Sequence, residues 1–92
     1  MNNPAADQVY AVARLYRLQW EPVQNAHVLL YPEGMVKLNP SAGEILKRLD
    51  GRRSVAEVAR DCESAFATRG LLDDVLAFLD AALEQGWVRR VA

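Results

Sequence analysis

The sequence predicts an α+β domain in which a small three-stranded antiparallel sheet is followed by three helices. Two observations support this prediction. Short apolar runs separated by turn residues occupy positions 16–38, and they have the length and composition of β-strands. After Asn39 the apolar residues recur at helical spacing instead, in three stretches that each end near a glycine. No repeat, low-complexity run or long linker divides the chain, so we expect one domain.

The composition is typical of a soluble globular protein and argues against several classes. The 92 residues are 51% hydrophobic and 25% charged, with a formal charge of −1. Such a balance offers no basic face for nucleic acid, and no apolar run reaches the ~20 residues that span a bilayer. A single cysteine excludes an internal disulfide and a cysteine-based zinc site. Because the first residues also lack the basic and apolar parts of a signal peptide, we expect a cytoplasmic protein.

The N-terminal part of the chain is predicted to be a flexible tail over residues 1–13, since its first residues are small and polar. Residues 9–15 fit either a short helix or a lead-in strand, and the sequence leaves this open. The folded domain is expected over residues 14–92. Its first strand covers Tyr16 to Trp20, where apolar and polar residues alternate, so Tyr16, Leu18 and Trp20 are predicted to face the core.

A hairpin between residues 27 and 38 is the clearest local feature. Its strands are His27 to Tyr31 and Met35 to Leu38, joined by Pro32-Glu33-Gly34. Pro32 suits the first central position of a type I turn, and Gly34 can take the positive φ of a three-residue loop. No later segment looks long enough to pair with the second of these strands, so we expect an open sheet edge there.

The first two helices are predicted from their caps and apolar spacing. Asn39 and Ser41 are alternative N-caps for the first helix, which stops at Asp50-Gly51. The second opens at a capping box, Ser54 to Glu57, and ends at about Thr68. The residues predicted to be buried by the first helix are Ala42, Ile45, Leu46 and Leu49. Those of the second are Val55, Val58, Ala59, Cys62, Ala65 and Phe66.

The third helix, from Leu71 or Leu72 to Gln85, has an apolar stripe wider than one core contact needs. Asp73 and Asp74 favour its N-terminus, and Gly86 ends it. The stripe covers about 160° of a helical wheel, against about 100° for a single contact. We therefore expect one margin near the surface, available to a partner. Three short helices beside a hairpin pack in the winged-helix style, which does not by itself determine function.

The residues needed for catalysis or metal binding do not form a recognisable set. His27 is the single histidine and lies within an apolar strand, where a structural role is expected. Cys62 lies on the apolar face of a helix, and Asp73-Asp74 is better explained as helix-end charge. There is also no glycine-rich phosphate loop. The sequence therefore predicts a binding protein without a cofactor or metal, and not an enzyme.

Several strings of residues are shared with a known family. They are Tyr16–Glu21, His27–Asn39, Ser41–Leu46, Asp50–Arg53, Asp73–Val75 and Gly86–Trp87. On these residues the chain resembles the pyrroloquinoline quinone (PQQ) biosynthesis protein D family, PqqD, over about residues 14–90. The strings RLQWE and LLYPEGMVKLN are long and unusual, so the resemblance is specific.

The resemblance implies a winged-helix-like fold and a peptide chaperone that has no cofactor of its own. Members of this family are recognition elements for ribosomally synthesised and post-translationally modified peptides (RiPPs). They bind the precursor peptide PqqA and deliver it to PqqE, a radical S-adenosylmethionine enzyme. That enzyme joins a Glu and a Tyr side chain of the precursor. These expectations agree with the missing catalytic set.

The resemblance also implies a site, because the family holds its peptide between the third strand and the third helix. The peptide would pair with the open strand edge, and its alternate side chains would enter an apolar pocket. The edge residues carried over are Met35, Val36, Lys37 and Leu38. The pocket residues carried over are Leu71, Val75, Phe78, Leu79 and Ala82. An open edge also permits pairing between two copies, so a homodimer stays an alternative to the monomer.

Two other functions compete with this one. A winged-helix DNA-binding protein needs basic or amide side chains on its recognition helix. The third helix offers Asp73, Asp74, Asp80 and Glu84 instead. The same fold would also suit the leader-peptide recognition domain of another modified-peptide pathway, and only peptide specificity distinguishes that alternative.

Overall fold

The computed structural model describes residues 4–91, which contain a short 3₁₀ helix, five strands and three α-helices. In chain order these are the 3₁₀ helix (Pro4–Asp7), β1 (Tyr10–Val12), β2 (Arg17–Glu21), β3 (Ala26–Tyr31), β4 (Gly34–Lys37), α1 (Pro40–Leu46), α2 (Val55–Phe66), α3 (Leu72–Gln85) and β5 (Val88–Arg90). One antiparallel sheet has the order β2-β3-β4, and a second pairs β1 with β5. The predicted α+β architecture, a three-stranded sheet followed by three helices, is confirmed.

The second sheet joins the two ends of the described chain. β1 pairs antiparallel with β5, and Val9 bridges Ser54 at the start of α2. Tyr10 is 2% exposed and belongs to the core. Of the expected tail over residues 1–13, residues 1–3 lie outside the described part, whereas residues 5–12 pack against the domain. The difference arises because Tyr10 and its apolar neighbours find partners that are distant in sequence.

The β3–β4 turn is tighter than predicted. Tyr31 pairs directly with Gly34, so the loop is the two residues Pro32-Glu33, and β4 begins one residue before Met35. Gly34 therefore has strand geometry and no positive φ, and the prediction of a three-residue loop is wrong. The ladder reaches one pair further than the sequence suggested, which leaves no third loop position.

The caps of the helices follow the sequence closely. The Asn39 side chain accepts a hydrogen bond from the Ala42 N–H at 2.8 Å, which selects Asn39 as the cap of α1. The capping box between Ser54 and Glu57 is confirmed, with both of its hydrogen bonds present. α1 ends at Leu46, and Leu49 packs on the core from the turn that follows.

The core lies between one face of the three-stranded sheet and the helices. Its centre includes Leu29 of β3 and Leu79 of α3, both 0% exposed. Leu18 and Val36 lie opposite Leu29 in the neighbouring strands and pack against the same cluster. These contacts hold the helices against the face of the sheet on which the side chain of Leu29 lies.

Three side chains predicted to face the core are exposed. Trp20 is 49% exposed, because it lies near the end of β2. Its ring packs edge-on against His27 at a centroid distance of 5.1 Å. Phe66 is 44% exposed and Ala65 is also exposed. The buried set of α2 ends at Cys62, one turn before the helix does, so its last turn extends past the core.

Candidate peptide-binding site

The outer edge of β4 has no strand partner within residues 4–91. β4 pairs with β3, and β5 pairs with β1 instead. The Leu38 N–H donates to the His27 carbonyl at 3.0 Å, and inward-facing groups alternate along an antiparallel ladder. The main-chain groups of Val36 and Leu38 therefore face β3. Those of Met35 and Lys37 face outwards, where an added strand would bond to them.

The side chains of this strand divide between the two faces of the sheet. Val36 lies opposite Leu29 and packs against the core cluster, so it faces the helices. Met35 and Lys37 are exposed on the other face. Leu38 is 4% exposed and belongs to the core. An added strand would thus meet the main chain of Met35 and Lys37 and the flank of Val36, while Leu38 supports the edge from within.

The predicted pocket residues of α3 also divide into two groups. Leu71 and Phe78 are half-buried and pack on the core while keeping accessible surface. Val75, Leu79 and Ala82 are at most 2% exposed, since they form the centre of the buried stripe of α3. Leu71 and Phe78 are two turns apart on one margin of that stripe. They are the predicted pocket residues that a ligand would reach directly, and the other three form the floor beneath.

An apolar cavity of about 340 Å³ lies among the three helices. Its walls come from the first turns of α1, the C-terminal half of α2 and the N-terminal half of α3. The lining residues are Ser41, Ile45, Cys62, Phe66, Thr68, Leu71, Asp74 and Val75. Ser41 and Ile45 of the lining belong to α1, which follows β4 in the chain, and the exposed ring of Phe66 forms another wall.

The sequence identified two of these lining residues, Leu71 and Val75, and missed the others. Phe66 was assigned to the core because it continues the apolar spacing of α2. A local pattern cannot show where the neighbouring elements end, so its exposure could not be predicted. The one available indication was its position at the last turn of the helix, before the break at Gly70.

The cavity walls are held by polar contacts at their edge. The Leu71 N–H donates to the Glu63 carboxylate at 3.0 Å, which ties the start of α3 to α2. Burial raises the pKa of the Cys62 thiol, so this side chain is protonated at neutral pH and contributes apolar wall surface. Within residues 4–91 no group of three or more His, Cys, Asp or Glu side chains is placed to hold a metal ion.

Comparison with known proteins assigns the chain to a family. The sequence model of coenzyme PQQ synthesis protein D (PqqD) matches residues 26–88. The chain belongs to the PqqD family. The resemblance found in the sequence is thereby confirmed, and the family match includes β3, β4 and all three helices.

Relatives and a solved structure of the PqqD family cover almost the whole chain. A PqqA binding protein of Pseudomonas aeruginosa (strain UCBPP-PA14) is 52% identical over 89 residues, which are 96% of this chain and 97% of that protein. One from Klebsiella pneumoniae is 48% identical over 81 residues, 87% of this chain and 88% of that protein. The solution NMR structure of the PqqD truncation of Methylobacterium extorquens PqqCD, described as a functional and stand-alone RiPP recognition element, has a TM-score of 0.77 and 27% identity. The match covers 97% of this chain and 96% of the chain in that structure.

No helix in the described part of the chain is both long enough and apolar enough to cross a membrane.

Proposed function

We propose that this chain binds the precursor peptide PqqA as an added strand along β4 and delivers it to the radical S-adenosylmethionine enzyme PqqE in the cytoplasm. The observation that carries the proposal is the open β4 edge, together with an apolar cavity lined in part by α1, the helix that follows β4. Membership of the PqqD family supports it, as do relatives that are named PqqA binding proteins. Those names describe binding, which supports a role in presenting the peptide without transforming it.

The main chain of β4 would supply the general part of the affinity. An extended peptide would exchange hydrogen bonds with the outward-facing groups of Met35 and Lys37. Each bond contributes about 0.5–1.5 kcal/mol once the competing bonds to water are counted. Because every peptide has the same backbone groups, these bonds would hold an extended chain in register without selecting its sequence.

Selectivity would come from the apolar surface beside the strand. Val36, Leu71 and Phe78 would meet side chains of the peptide on the helix side of the sheet, and the cavity bounded by Leu71 and Phe66 would take one of them. Full burial of one Leu- or Phe-sized side chain contributes about 1.5–3 kcal/mol. The cavity volume of about 340 Å³ can accept such a side chain. A precursor with an apolar residue at the matching position would therefore bind more tightly than a scrambled one.

The charge on α3 argues against nucleic acid as the ligand. Asp73, Asp74, Asp80 and Glu84 are all exposed on this helix. In a winged-helix DNA-binding protein the recognition helix carries groups that donate to bases and phosphates. Four carboxylates at these positions would repel the phosphate backbone.

The direct test is an NMR titration of isotope-labelled protein with a synthetic PqqA peptide that contains the Glu and Tyr residues to be joined. We expect shifts at Met35, Lys37, Leu71 and Phe78 and none with a scrambled peptide of the same composition. An equal response to both peptides, or shifts confined to other elements, would contradict strand addition at β4. Delivery is tested separately, since turnover of PqqA by PqqE should rise when this chain is added.

A matched pair of α3 variants tests the helix side of the site. Phe78→Asp places a charge on the accessible margin and should weaken PqqA binding at least tenfold. Ala77→Asp adds the same charge to the exposed face of the same helix and should leave binding unchanged. Because Phe78 also packs on the core, Phe66→Asp at the exposed cavity wall provides a second variant with less effect on folding. Unchanged affinity in both Phe variants would show that the helix side takes no part in binding.

A further inference from the structure

Glu63 of α2 makes two hydrogen bonds to the α2–α3 connection, residues 67–71. Its backbone carbonyl accepts from the Thr68 N–H at 2.9 Å, near the start of the connection. Its carboxylate accepts from the Leu71 N–H at 3.0 Å, at the end of the connection. One residue, one turn before the end of α2, therefore holds the connection near both of its ends.

The bond to Leu71 supplies a cap that α3 does not provide for itself. Leu71 occupies the N-cap position of α3, where its apolar side chain accepts no hydrogen bond. Within residues 4–91 the Leu71 N–H has no acceptor other than the Glu63 carboxylate. The negative charge of that carboxylate also suits the positive end of α3. The position of Leu71 is thus tied to α2 through a single side chain.

The backbone of the connection needs such a restraint. Ala67 has a φ of 52° and Gly70 a φ of 75°, so two of its five residues are in the left-handed region. This conformation is unfavourable for a residue that has a Cβ, such as alanine. Local preference alone would therefore favour another path for the connection, and the two bonds to Glu63 oppose that change.

The connection forms part of the wall of the apolar cavity. Phe66 lines the cavity just before the connection, Thr68 lines it from within, and Leu71 lines it at the end. The distance between Phe66 and Leu71 sets the width of the cavity between α2 and α3. Glu63 is bonded to both Thr68 and Leu71, so it controls this width although it is not itself one of the lining residues.

We infer that Glu63 is a positioning residue that sets the shape of the cavity and thereby selects the apolar side chain that the cavity accepts. It acts through the main chain of Thr68 and Leu71. The inference rests on the proposed function for the identity of the ligand, a side chain of PqqA. The shape of the cavity can nevertheless be measured without the peptide.

Toluene is a suitable probe of the cavity in the full chain. An apolar cavity of about 150 Å³ holds benzene, and this one has about 340 Å³. In an NMR titration we expect toluene to shift the methyl resonances of Ile45, Leu71 and Val75. Glu63→Ala should weaken toluene binding about tenfold. Glu63→Gln should stay within about twofold, because its amide oxygen can still accept the Leu71 N–H.

Ser54→Ala is the matched control, since it removes a similar bond from the opposite end of α2. The Ser54 hydroxyl accepts from the Glu57 N–H at 3.2 Å, and nine residues of helix place it about 13 Å from Glu63. Both alanine variants should lower the urea midpoint, but Ser54→Ala should leave toluene binding unchanged.

Three results would overturn the inference. The first is a failure of toluene to bind the unmodified chain, and the second is an equal loss of toluene binding in Ser54→Ala. The third is a loss in Glu63→Gln as large as that in Glu63→Ala, because the hydrogen bond would then not be what holds the cavity.

Double-mutant cycles extend the test to PqqA. Each apolar residue of the peptide is replaced by Ala, and its affinity is measured with the unmodified chain and with Glu63→Ala. We expect one position at which a loss of about tenfold falls to about twofold in Glu63→Ala, with the other positions unchanged. Equal losses in both chains at every position would overturn the selection by Glu63. Absence of PqqA binding to the unmodified chain would contradict the proposed function and leave the toluene measurements unaffected, so the two failures are distinguishable.

Discussion

The two open edges of the three-stranded sheet present the same backbone chemistry in different surroundings. β4 offers the outward-facing main chain of Met35 and Lys37 and leads directly into α1, which lines part of the apolar cavity. β2 offers the main chain of Leu18 and Trp20, with charges of both signs at its two ends. An unpaired edge by itself accepts any extended strand. The side chains around it determine which strand is accepted, so the two edges differ in the strands that they would accept, and β4 suits an apolar peptide.

The largest effect should come from damage to the strand that both edges share. Leu29 of β3 is 0% exposed at the centre of the core, and Leu29→Ala should lower the free energy of unfolding by about 2–5 kcal/mol. Peptide binding should then be lost on mild warming. Urea denaturation measures the loss, with Val23→Ala as control, since Val23 is 92% exposed. Unchanged stability of Leu29→Ala would show that this residue is not at the centre of the core.

A smaller change should affect the β2 side more than the β4 side. A Cβ at Gly43 of α1 would lie 2.8 Å from Nδ1 and 3.1 Å from Cβ of His27, which contacts Trp20. Gly43→Ala should therefore cost about 1–3 kcal/mol of stability, despite a gain in helix propensity of about 1 kcal/mol. Adding His27→Ala should relieve the clash in a double-mutant cycle measured by urea denaturation. If Gly43→Ala stabilises the protein, α1 does not pack on His27 as described.

Proline substitutions distinguish the edges at the level of single hydrogen bonds. Met35→Pro removes one outward N–H from β4 and should weaken PqqA binding about tenfold, or 1–1.5 kcal/mol. Trp20→Pro removes the corresponding N–H from β2 and should leave peptide affinity unchanged, because β2 is the opposite edge of the sheet. Edge strands tolerate proline where the N–H faces solvent. Calorimetric titration of both variants measures this difference, and an equal loss of affinity in the two would contradict the assignment of the peptide to β4.

Acid should have the smallest effect, and it should act on both edges alike. The Ser54 N–H holds the pKa of Glu57 below its ordinary value of 4.5, and the Arg53 and Arg52 N–H groups lower the pKa of Asp50. The folded-state values are the lower ones, so this stabilisation is complete above pH 4.5 and is lost as the pH falls through them.

Glu57→Gln keeps the capping geometry but cannot titrate. We expect it to flatten the fall in urea midpoint between pH 5 and pH 3, with little change at pH 7. An unchanged acid slope in this variant would assign the pH dependence to other carboxylates.

Helix caps and strand periods were predictable because they depend on neighbouring residues. The Asn39 cap, the Ser54–Glu57 capping box and the stop at Gly86 each need only a few consecutive residues. The family was likewise visible in the strings around Trp20 and in the hairpin. The open edge of β4 followed from the lack of a later strand long enough to pair with it.

Exposure within the candidate site was less predictable. Val75, Leu79 and Ala82 share an apolar stripe with Leu71 and Phe78, and a helical wheel cannot rank them. Their burial depends on where α2 and the sheet press against α3. Trp20 and Phe66 show the same limit of prediction from the sequence. Both fit an apolar spacing, yet both are exposed because they lie where the core ends.

The sequence by itself determined the kinds of element, their order and the family, because turn chemistry, capping and apolar spacing act over a few residues. Tertiary structure decided the pairing of β1 with β5, the two-residue β3–β4 loop and the division of the α3 stripe into floor and margin. It also decided that both outer edges of the main sheet stay open. These features depend on contacts between residues far apart in the chain, where burial and strand register are set by the surfaces that meet and not by local preference.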